Sequence, residues 1–254
     1  MSKLSELQKF YKKPARNKAN FSGPIVFVIV VVAVIFVMSV MFRVSDIRVN
    51  GNTHYTDNEI INAIDIEEGD NLFFFDRFAA ISRVFAKLPY VEEVTVTRHL
   101  PNRVIIDVVE SKAVAYIPLG AEYWTIDKNC KVLGKAAEGE ESELVEITGF
   151  QPGTLFINEP LTTADGEQRP VEHLTAILQQ VLSRNLIGTV TRVDMTNVNA
   201  VIMYYGNDYT VKLGDPYGTD HKFAMIVSCV SKLLPGDTGV IDVSDATTCH
   251  FIPY

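Results

Sequence analysis

The apolar residues divide the chain into one unbroken apolar run near its start and a long region of short, alternating patterns. Ile25 to Phe42 are eighteen consecutive positions, of which only Ser39 is not apolar. A helix of this length, at about 1.5 Å per residue, spans the hydrocarbon core of a bilayer. The pattern therefore predicts a transmembrane helix over residues 25–42, followed by 212 residues of mixed sequence.

The pattern over residues 43–113 predicts a small α+β domain. A short strand ends at the turn signal Asn50-Gly51-Asn52. Two helices follow, the first opened by the capping pair Thr56 and Glu59 and the second stopped by Pro89. Two β-rich runs complete the order: Val91–Arg98 and Arg103–Glu110. We therefore expect a βααββ unit with helices on one face of its sheet.

The pattern over residues 114–248 predicts a larger mixed domain with two helices. An apolar helical stripe from Val171 to Leu182 begins after Pro170, which suits a first-turn position. A second helix is expected from Thr219 to Leu234. The predicted strands are Tyr123–Ile126, Lys131–Leu133, Leu144–Ile147, Val190–Asp194, Ala200–Tyr205, Tyr209–Leu213 and Gly239–Ser244. Gly239–Ser244 is the last of them, and residues 249–254 are expected to be a short C-terminal tail.

The charges beside the apolar run indicate its orientation. Residues 1–24 carry six basic side chains against the single acid Glu6. Because positively charged flanks stay in the cytoplasm, we expect residues 1–24 to be a basic cytoplasmic tail and the C-terminal bulk to lie outside the cytoplasm. A cleaved signal peptide is the alternative. Its apolar core is normally only about 7–15 residues long and ends at small residues, so this run favours an uncleaved signal anchor.

Composition narrows the choice of partners. Of the 23 Lys+Arg and 31 Asp+Glu residues, 17 and 30 lie after residue 24, which gives a net charge near −13. This balance argues against nucleic acid, or an anionic lipid surface, as the main partner. Cys130, Cys229 and Cys249 are odd in number and imply no disulfide framework. A Cys229–Cys249 bridge and buried free thiols both stay open.

Short segments in this order along the chain resemble the bacterial cell-division family FtsQ/DivIB. In the first domain they are Phe42-Arg43-Val44, Val49-Asn50-Gly51-Asn52, Leu88-Pro89-Tyr90-Val91, Leu100-Pro101-Asn102 and Val109-Glu110-Ser111-Lys112. In the second they are Trp124-Thr125-Ile126-Asp127, Ile147-Thr148-Gly149, Val193-Asp194-Met195, Val211-Lys212-Leu213-Gly214 and the run Gly239–Ser244. The chain departs from the common pattern at Asn129-Cys130, where members often have Asp-Gly. The resemblance implies a POTRA domain over residues 43–113 and a mixed β domain over residues 114–248.

The sequence shows no arrangement of residues that carries a reaction. The five histidines never occur at H-x-x-H or H-E-x-x-H spacing: His54, His99, His173, His221 and His250. There is no G-x-S-x-G elbow and no glycine-rich phosphate loop. The acidic stretch Asp65–Asp70 lacks the spacing of a calcium loop. We therefore expect no catalytic residue, cofactor, metal or small-molecule substrate.

The resemblance implies a non-enzymatic protein of the division machinery. In this family the part outside the cytoplasm binds the single-pass proteins FtsB (DivIC) and FtsL. It thereby helps control septal peptidoglycan synthesis and septum formation, so the expected location is the cell membrane at the septum. The alternative is a membrane-anchored extracytoplasmic hydrolase or protease of the cell wall with an unrecognised site. A role in outer-membrane assembly is less favoured, because no barrel-sized array of strands follows Ile117.

The partner site is expected on the last predicted strand. No later element is predicted to cover its outer edge, and an open edge can pair with a strand of another chain. Ile241 and Val243 are expected to point inward and Asp242 and Ser244 outward. The resemblance places the FtsB/DivIC contact on this same strand. The expected site residues are Val240, Ile241, Asp242, Val243, Ser244, Asp245 and Ala246. The alternative is that this strand is only core and that Asp242 blunts its edge.

Overall fold

A computed structural model describes residues 22–137 and 139–254. Helix α1 (Ser22–Met41) contains a stretch of 19 residues, Gly23–Met41, that is long and apolar enough to cross a membrane, and none of this stretch is buried. The basic cytoplasmic tail expected over residues 1–24 lies almost wholly outside the described residues. Glu138, in the acidic segment of residues 135–143, lies outside them as well.

The first domain has the predicted βααββ order. Its elements are β1 (Asp46–Asn50), α2 (Asp57–Ile64), α3 (Arg77–Lys87), β2 (Val91–His99) and β3 (Arg103–Glu110). The central strand of the sheet is β3, which pairs parallel with β1 and antiparallel with β2. The predicted capping box opens α2, since Thr56 Oγ1 accepts from the Glu59 N–H at 3.3 Å and the Glu59 carboxylate accepts from the Thr56 N–H at 2.8 Å.

The second domain is built on a nine-stranded sheet. Its elements are β4 (Ala115–Leu119), β5 (Glu122–Ile126), β6 (Val132–Lys135), β7 (Val145–Thr148), α4 (Arg169–Ser183), β8 (Val190–Asp194), β9 (Val201–Tyr205), β10 (Tyr209–Gly214), α5 (Thr219–Val230), β11 (Gly239–Asp242) and β12 (His250–Pro253). The strand order is β12-β11-β10-β9-β8-β7-β4-β5-β6. Apolar side chains of α4 and α5, such as Leu178 and Phe223, share one buried cluster with one face of the sheet. The whole chain is therefore an α+β protein, as predicted.

The main differences from the predicted elements lie in short segments. β4 escaped prediction because Pro118 interrupts a five-residue run. Helix α5 ends at Val230 rather than Leu234, and Leu234 is exposed beyond it. The expectation that Gly239–Ser244 is the last strand was wrong. Residues His250–Pro253 fold back as β12 and cover the outer edge of β11.

The position that departs from the family pattern has an unusual backbone conformation. Cys130 has a positive φ of 57°, a region that glycine enters more easily than a residue with a Cβ. Its side chain is fully buried beside α4, where the Thr175 hydroxyl donates to Sγ at 3.2 Å. Burial raises the pKa of the Cys130 thiol to about 12. This cysteine therefore fills the core as a neutral thiol.

The two domains are joined by direct polar contacts. The Lys131 ammonium donates to the carbonyl of Val91 at 2.9 Å. Beside it, Lys128 and Glu92 form an ion pair at 3.0 Å. The Ser111 hydroxyl, at the end of the first domain, donates to the buried Asp127 carboxylate at 3.1 Å. These contacts hold the first sheet against the β5–β6 end of the second, so the opposite end of the large sheet lies away from the junction.

Candidate functional site

The candidate site is the end of the large sheet that is formed by β11 and β12. The two strands are antiparallel, with Gly239 opposite Pro253 and Asp242 opposite His250. Just beyond β12, the Tyr254 N–H donates to the Thr238 carbonyl at 3.0 Å. β12 is thus firmly part of the sheet, and it is the outermost strand at this end.

The register shows which backbone groups of β12 point away from the sheet. In an antiparallel pair, residues that exchange hydrogen bonds alternate with residues that do not. Because Tyr254 bonds to Thr238, Ile252 and His250 also direct their backbone groups at β11. Phe251 and Pro253 therefore direct theirs outward. Proline has no N–H, so the outer edge presents one N–H, that of Phe251, and the carbonyls of both residues.

The other end of the sheet is covered at the start of β6. The loop that contains residues 158–161 runs beside β6. The Val132 N–H donates to the Glu159 carbonyl at 2.9 Å, and the Asn158 N–H donates to the Val132 carbonyl at 2.7 Å. Among the backbone hydrogen bonds of residues 22–137 and 139–254, none from outside the sheet reaches Phe251 or Pro253. β12 is consequently the open edge of the two.

One face of the sheet near β12 is not covered by the helices. A single cross-strand row runs over this face: Glu146, Arg192, Tyr204, Thr210, Val240 and Ile252. None of these side chains is buried, whereas Val211 and Ile241, in the neighbouring row on the helix face, are fully buried. The Arg192 guanidinium lies 4.1 Å from the centroid of the Tyr204 ring. Ile252, 53 % exposed, ends the row at the edge.

The seven expected site residues are split between a strand and a loop. Ile241 and Val243 are fully buried, in agreement with their predicted inward direction. Val240 and Asp242 lie on the open face of β11. Ser244, Asp245 and Ala246 belong to the connection to β12 and not to a strand edge. The Ser244 N–H donates to Asp242 Oδ1 at 3.1 Å, so it is not available as an edge donor.

The connection between β11 and β12 is held by the side chain of Asp245. Its Oδ1 accepts from the N–H groups of Thr247 and Thr248 at 2.9 and 3.0 Å, and its Oδ2 accepts from the Thr248 hydroxyl at 2.8 Å. Hydrogen bonds from these two threonines hold the pKa of Asp245 well below its usual range. The carboxylate stays ionised, and the turn that places β12 stays formed, at any pH near neutrality.

The cysteines at this end of the sheet are free. Cys229, on α5, and Cys249, directly before β12, are half-buried and line a common groove. Burial and, next to it, the hydrogen bond with the adjacent Cys229 thiol together raise the pKa of Cys249 to about 12. Both residues pack against the apolar core of the second domain. Their role in this structure is to pack β12 against α5.

The described residues show no arrangement suited to a reaction. Across residues 22–137 and 139–254, no group of three His, Cys, Asp or Glu side chains could hold a metal ion. His173, the one buried histidine among them, lies on α4 with Nδ1 3.2 Å from the Val198 carbonyl. Burial lowers the pKa of His173 to about 4, so it is neutral and donates from Nδ1. This pattern is that of a structural histidine.

Sequence reasoning did not recognise the outermost strand at this end of the sheet. Phe251, Ile252 and Pro253 were assigned to the C-terminal tail, yet they form the open edge. The signal that could have revealed them is the pair Phe251-Ile252, which is apolar after seven polar or small residues. The four residues of β12, His250–Pro253, are too few to show an alternating pattern.

The chain is similar to bacterial cell-division proteins over most of its length. A family model described as a POTRA domain of the FtsQ type matches residues 42–111. The cell division protein DivIB of Clostridium botulinum strain Hall is 28 % identical over 228 residues, which cover 85 % of this chain and 87 % of that protein. DivIB of Bacillus subtilis strain 168 is 25 % identical over 240 residues, covering 93 % and 84 %. A solved structure of the major extracytoplasmic domain of DivIB from Geobacillus stearothermophilus aligns with 49 % of this chain and 94 % of its own length, at 13 % identity and a TM-score of 0.31.

Proposed function

Because the chain belongs to the FtsQ/DivIB family of bacterial cell-division proteins, we propose that it is a non-enzymatic assembly protein of the septum. Its helix α1 anchors it in the cell membrane with the N-terminus in the cytoplasm and both folded domains outside. There it binds the single-pass proteins FtsB (DivIC) and FtsL and helps control septal peptidoglycan synthesis and septum formation. The similarity to DivIB over most of the chain supports this role.

The partner adds an extended segment to the sheet as a tenth strand beside β12. The observation that carries this proposal is the outward N–H and C=O of Phe251, at the end of the sheet that no other segment of the described chain covers. Strand addition draws affinity from such backbone groups and selectivity from alternate side chains. Pro253 limits the edge to one donor, which restricts the register in which a partner strand can pair.

The expected site residues take modified roles in this proposal. Val240 and Asp242 supply side chains on the open face next to Ile252, within reach of a partner that lies against β12. Ile241 and Val243 support the strand from the core side. Ser244, Asp245 and Ala246 shape the turn at one end of β12. We therefore extend the proposed site from Val240–Ala246 to Tyr254.

Depletion of the protein from its native cells, followed by complementation, tests this function. Depleted cells should form filaments without septa. The full chain and its Phe251→Ala variant should restore septa, and Phe251→Pro, which also lacks the outward N–H, should not. Co-purification from the same cells should recover FtsB/DivIC with the first two proteins and not with the third. Lysis with normal septation on depletion would contradict the proposal and point to a cell-wall hydrolase or protease.

A further inference from the structure

The first domain is fastened directly to the end of the membrane helix. Residues 69–72 run antiparallel to residues 42–44, and the Leu72 N–H donates to the Phe42 carbonyl at 2.8 Å. The Val44 N–H donates to the Asp70 carbonyl at 2.8 Å. The Asn71 side-chain amide lies 3.4 Å from the carbonyls of Met38 and Ser39 in the last turn of α1. The first domain is therefore held at a fixed position along the axis of α1.

Three phenylalanine side chains lie next to this attachment in the sequence: Phe73, Phe74 and Phe78. The Phe73 ring meets the Phe42 ring edge-on, with centroids 5.1 Å apart. Phe74 is 77 % exposed, and Phe78, in the first turn of α3, is 72 % exposed. Nothing in the described parts of the chain covers these two rings. Isolated exposed phenylalanines are common. Three within six residues beside a membrane helix form an apolar patch, and such patches mark binding surfaces.

The length of α1 places this patch at the membrane surface. The stretch Gly23–Met41 has 19 residues, or about 28 Å of helix, which matches the hydrocarbon thickness. Phe42 therefore lies at the boundary between acyl chains and headgroups, and Phe73 touches it. Phe74 and Phe78 follow Phe73 within five residues of the chain. Arg77, whose guanidinium lies 5.2 Å from the Phe78 ring centroid, can reach lipid phosphate from there.

We propose that Phe73, Phe74 and Phe78 insert into the outer interface of the bilayer, so that the first domain rests on lipid in a fixed orientation. The N-terminus of α3 then points at the membrane. The N-cap of this helix is Asp76, whose Oδ1 accepts from the Phe78 and Ala79 N–H groups at 2.9 and 3.1 Å. The contact is local and apolar, which agrees with a surface whose net charge is too negative for broad attraction to anionic lipid. It is independent of any partner at β12.

Fluorescence quenching by brominated lipid tests this contact with the full chain in phosphatidylcholine nanodiscs. In a Trp124→Phe background, a single tryptophan is introduced as Phe74→Trp or Phe78→Trp. The matched control is Tyr217→Trp, at a residue that is 79 % exposed in the second domain. Phosphatidylcholine brominated near the top of one acyl chain should reduce emission at either test position by at least about twofold, and leave the control unchanged.

Circular dichroism and a thermal scan confirm that each variant is folded as the parent is. Because two positions are tested independently, the proposal can still be refuted if one of the two variants does not fold. Quenching at a folded test position that is no stronger than at Tyr217→Trp overturns the proposal. The exposed rings would then be left for a protein partner, and not for lipid.

Discussion

The hydroxyl of Tyr254 donates a 3.0 Å hydrogen bond to Oγ1 of Thr210, two strands away across the end of the large sheet. The backbone N–H of Tyr254 is bonded to Thr238 as well. The residue that follows β12 is thus tied to both β10 and the start of β11, although 78 % of it is exposed. These two bonds fasten the open edge at the end where β12 would otherwise fray.

Removal of this hydroxyl should loosen β12 without unfolding the domain. Tyr254→Phe keeps the ring and loses one exposed hydrogen bond, which contributes at most about 1 kcal/mol. Amide exchange at Ile252 and Tyr254 should become about twofold to fivefold faster, because exchange there needs only local opening. Tyr217→Phe, at an equally exposed tyrosine, is the control and should leave both rates unchanged. Unchanged exchange in Tyr254→Phe would show that the hydroxyl does not fasten the strand.

The close approach of β11 and β12 at Gly239 should not tolerate a side chain. A Cβ at this position would overlap the carbonyl oxygen of Ile252 and would lie 2.8 Å from Cε2 of Phe251. We expect Gly239→Ala to displace β12 and to lower the free energy of unfolding by about 1–3 kcal/mol. Urea unfolding measures the loss of free energy of unfolding. Amide hydrogen exchange at Ile252 shows whether the loss is located in β12. A stability within error of the wild type would mean that β12 is not packed as described.

Stability should fall as the pH is lowered from 6.5 to 5, because of His173. Burial, with a smaller contribution from Lys222 and Arg169, lowers the pKa of His173 from 6.5 to about 4, against the opposing hydrogen bond to Val198 and the charge of Asp215. The unfolded chain therefore binds a proton in this window that the folded chain excludes. The carboxyl groups whose pKa is lowered change the stability only below their ordinary pKa values. These values are 4.5 for Glu59 and 3.8 for Asp215.

The measurement is the urea midpoint between pH 6.5 and pH 5. In the wild type it should decrease over this range. His173→Asn keeps a side-chain N–H for the Val198 carbonyl but does not titrate, so its midpoint should change less. Equal slopes in the two proteins would contradict the assignment of this pH dependence to His173.

The ion pair between Lys222 and Asp215 should respond asymmetrically to mutation. The Lys222 ammonium is buried and bonds to Asp215 Oδ1 at 3.1 Å and to the Asp215 carbonyl at 2.9 Å, whereas Asp215 is half exposed. Asp215→Ala leaves a buried cation with one ligand, at a cost of about 3 kcal/mol, while Lys222→Met should cost less than about 1.5 kcal/mol. Urea unfolding of the two variants decides the point. A larger loss in Lys222→Met would contradict this account.

The sequence predicted the elements whose pattern is long enough to be read. The stripe Val171–Leu182 and the capping pair Thr56 and Glu59 identify α4 and α2 because helical spacing and side-chain capping are local signals. The strands of the sheet interior are apolar on alternate positions, as Ile241 and Val243 show. The helices and the buried strands other than β4 were therefore within reach of sequence reasoning.

The site itself depends on pairing, which is not a local property. The sequence of His250–Pro253 does not indicate that these four residues pair with β11. It also does not indicate which of their backbone groups point outward. The covering of β6 by residues 158–161 depends likewise on a loop far along the chain. Sequence reasoning thus placed the edge at this end of the sheet on β11, whereas β12 forms it.

The most direct test of the account is the affinity of the full chain, in phosphatidylcholine nanodiscs, for the part of FtsB/DivIC that lies outside the cytoplasm. Phe251→Ala and Phe251→Pro both lose the ring that packs near Tyr209, with centroids 6.3 Å apart, and only the proline variant also loses the outward N–H. If the partner pairs with β12, Kd should be at least about tenfold higher for Phe251→Pro than for Phe251→Ala. Equal Kd values for the two folded variants would contradict strand addition at this edge.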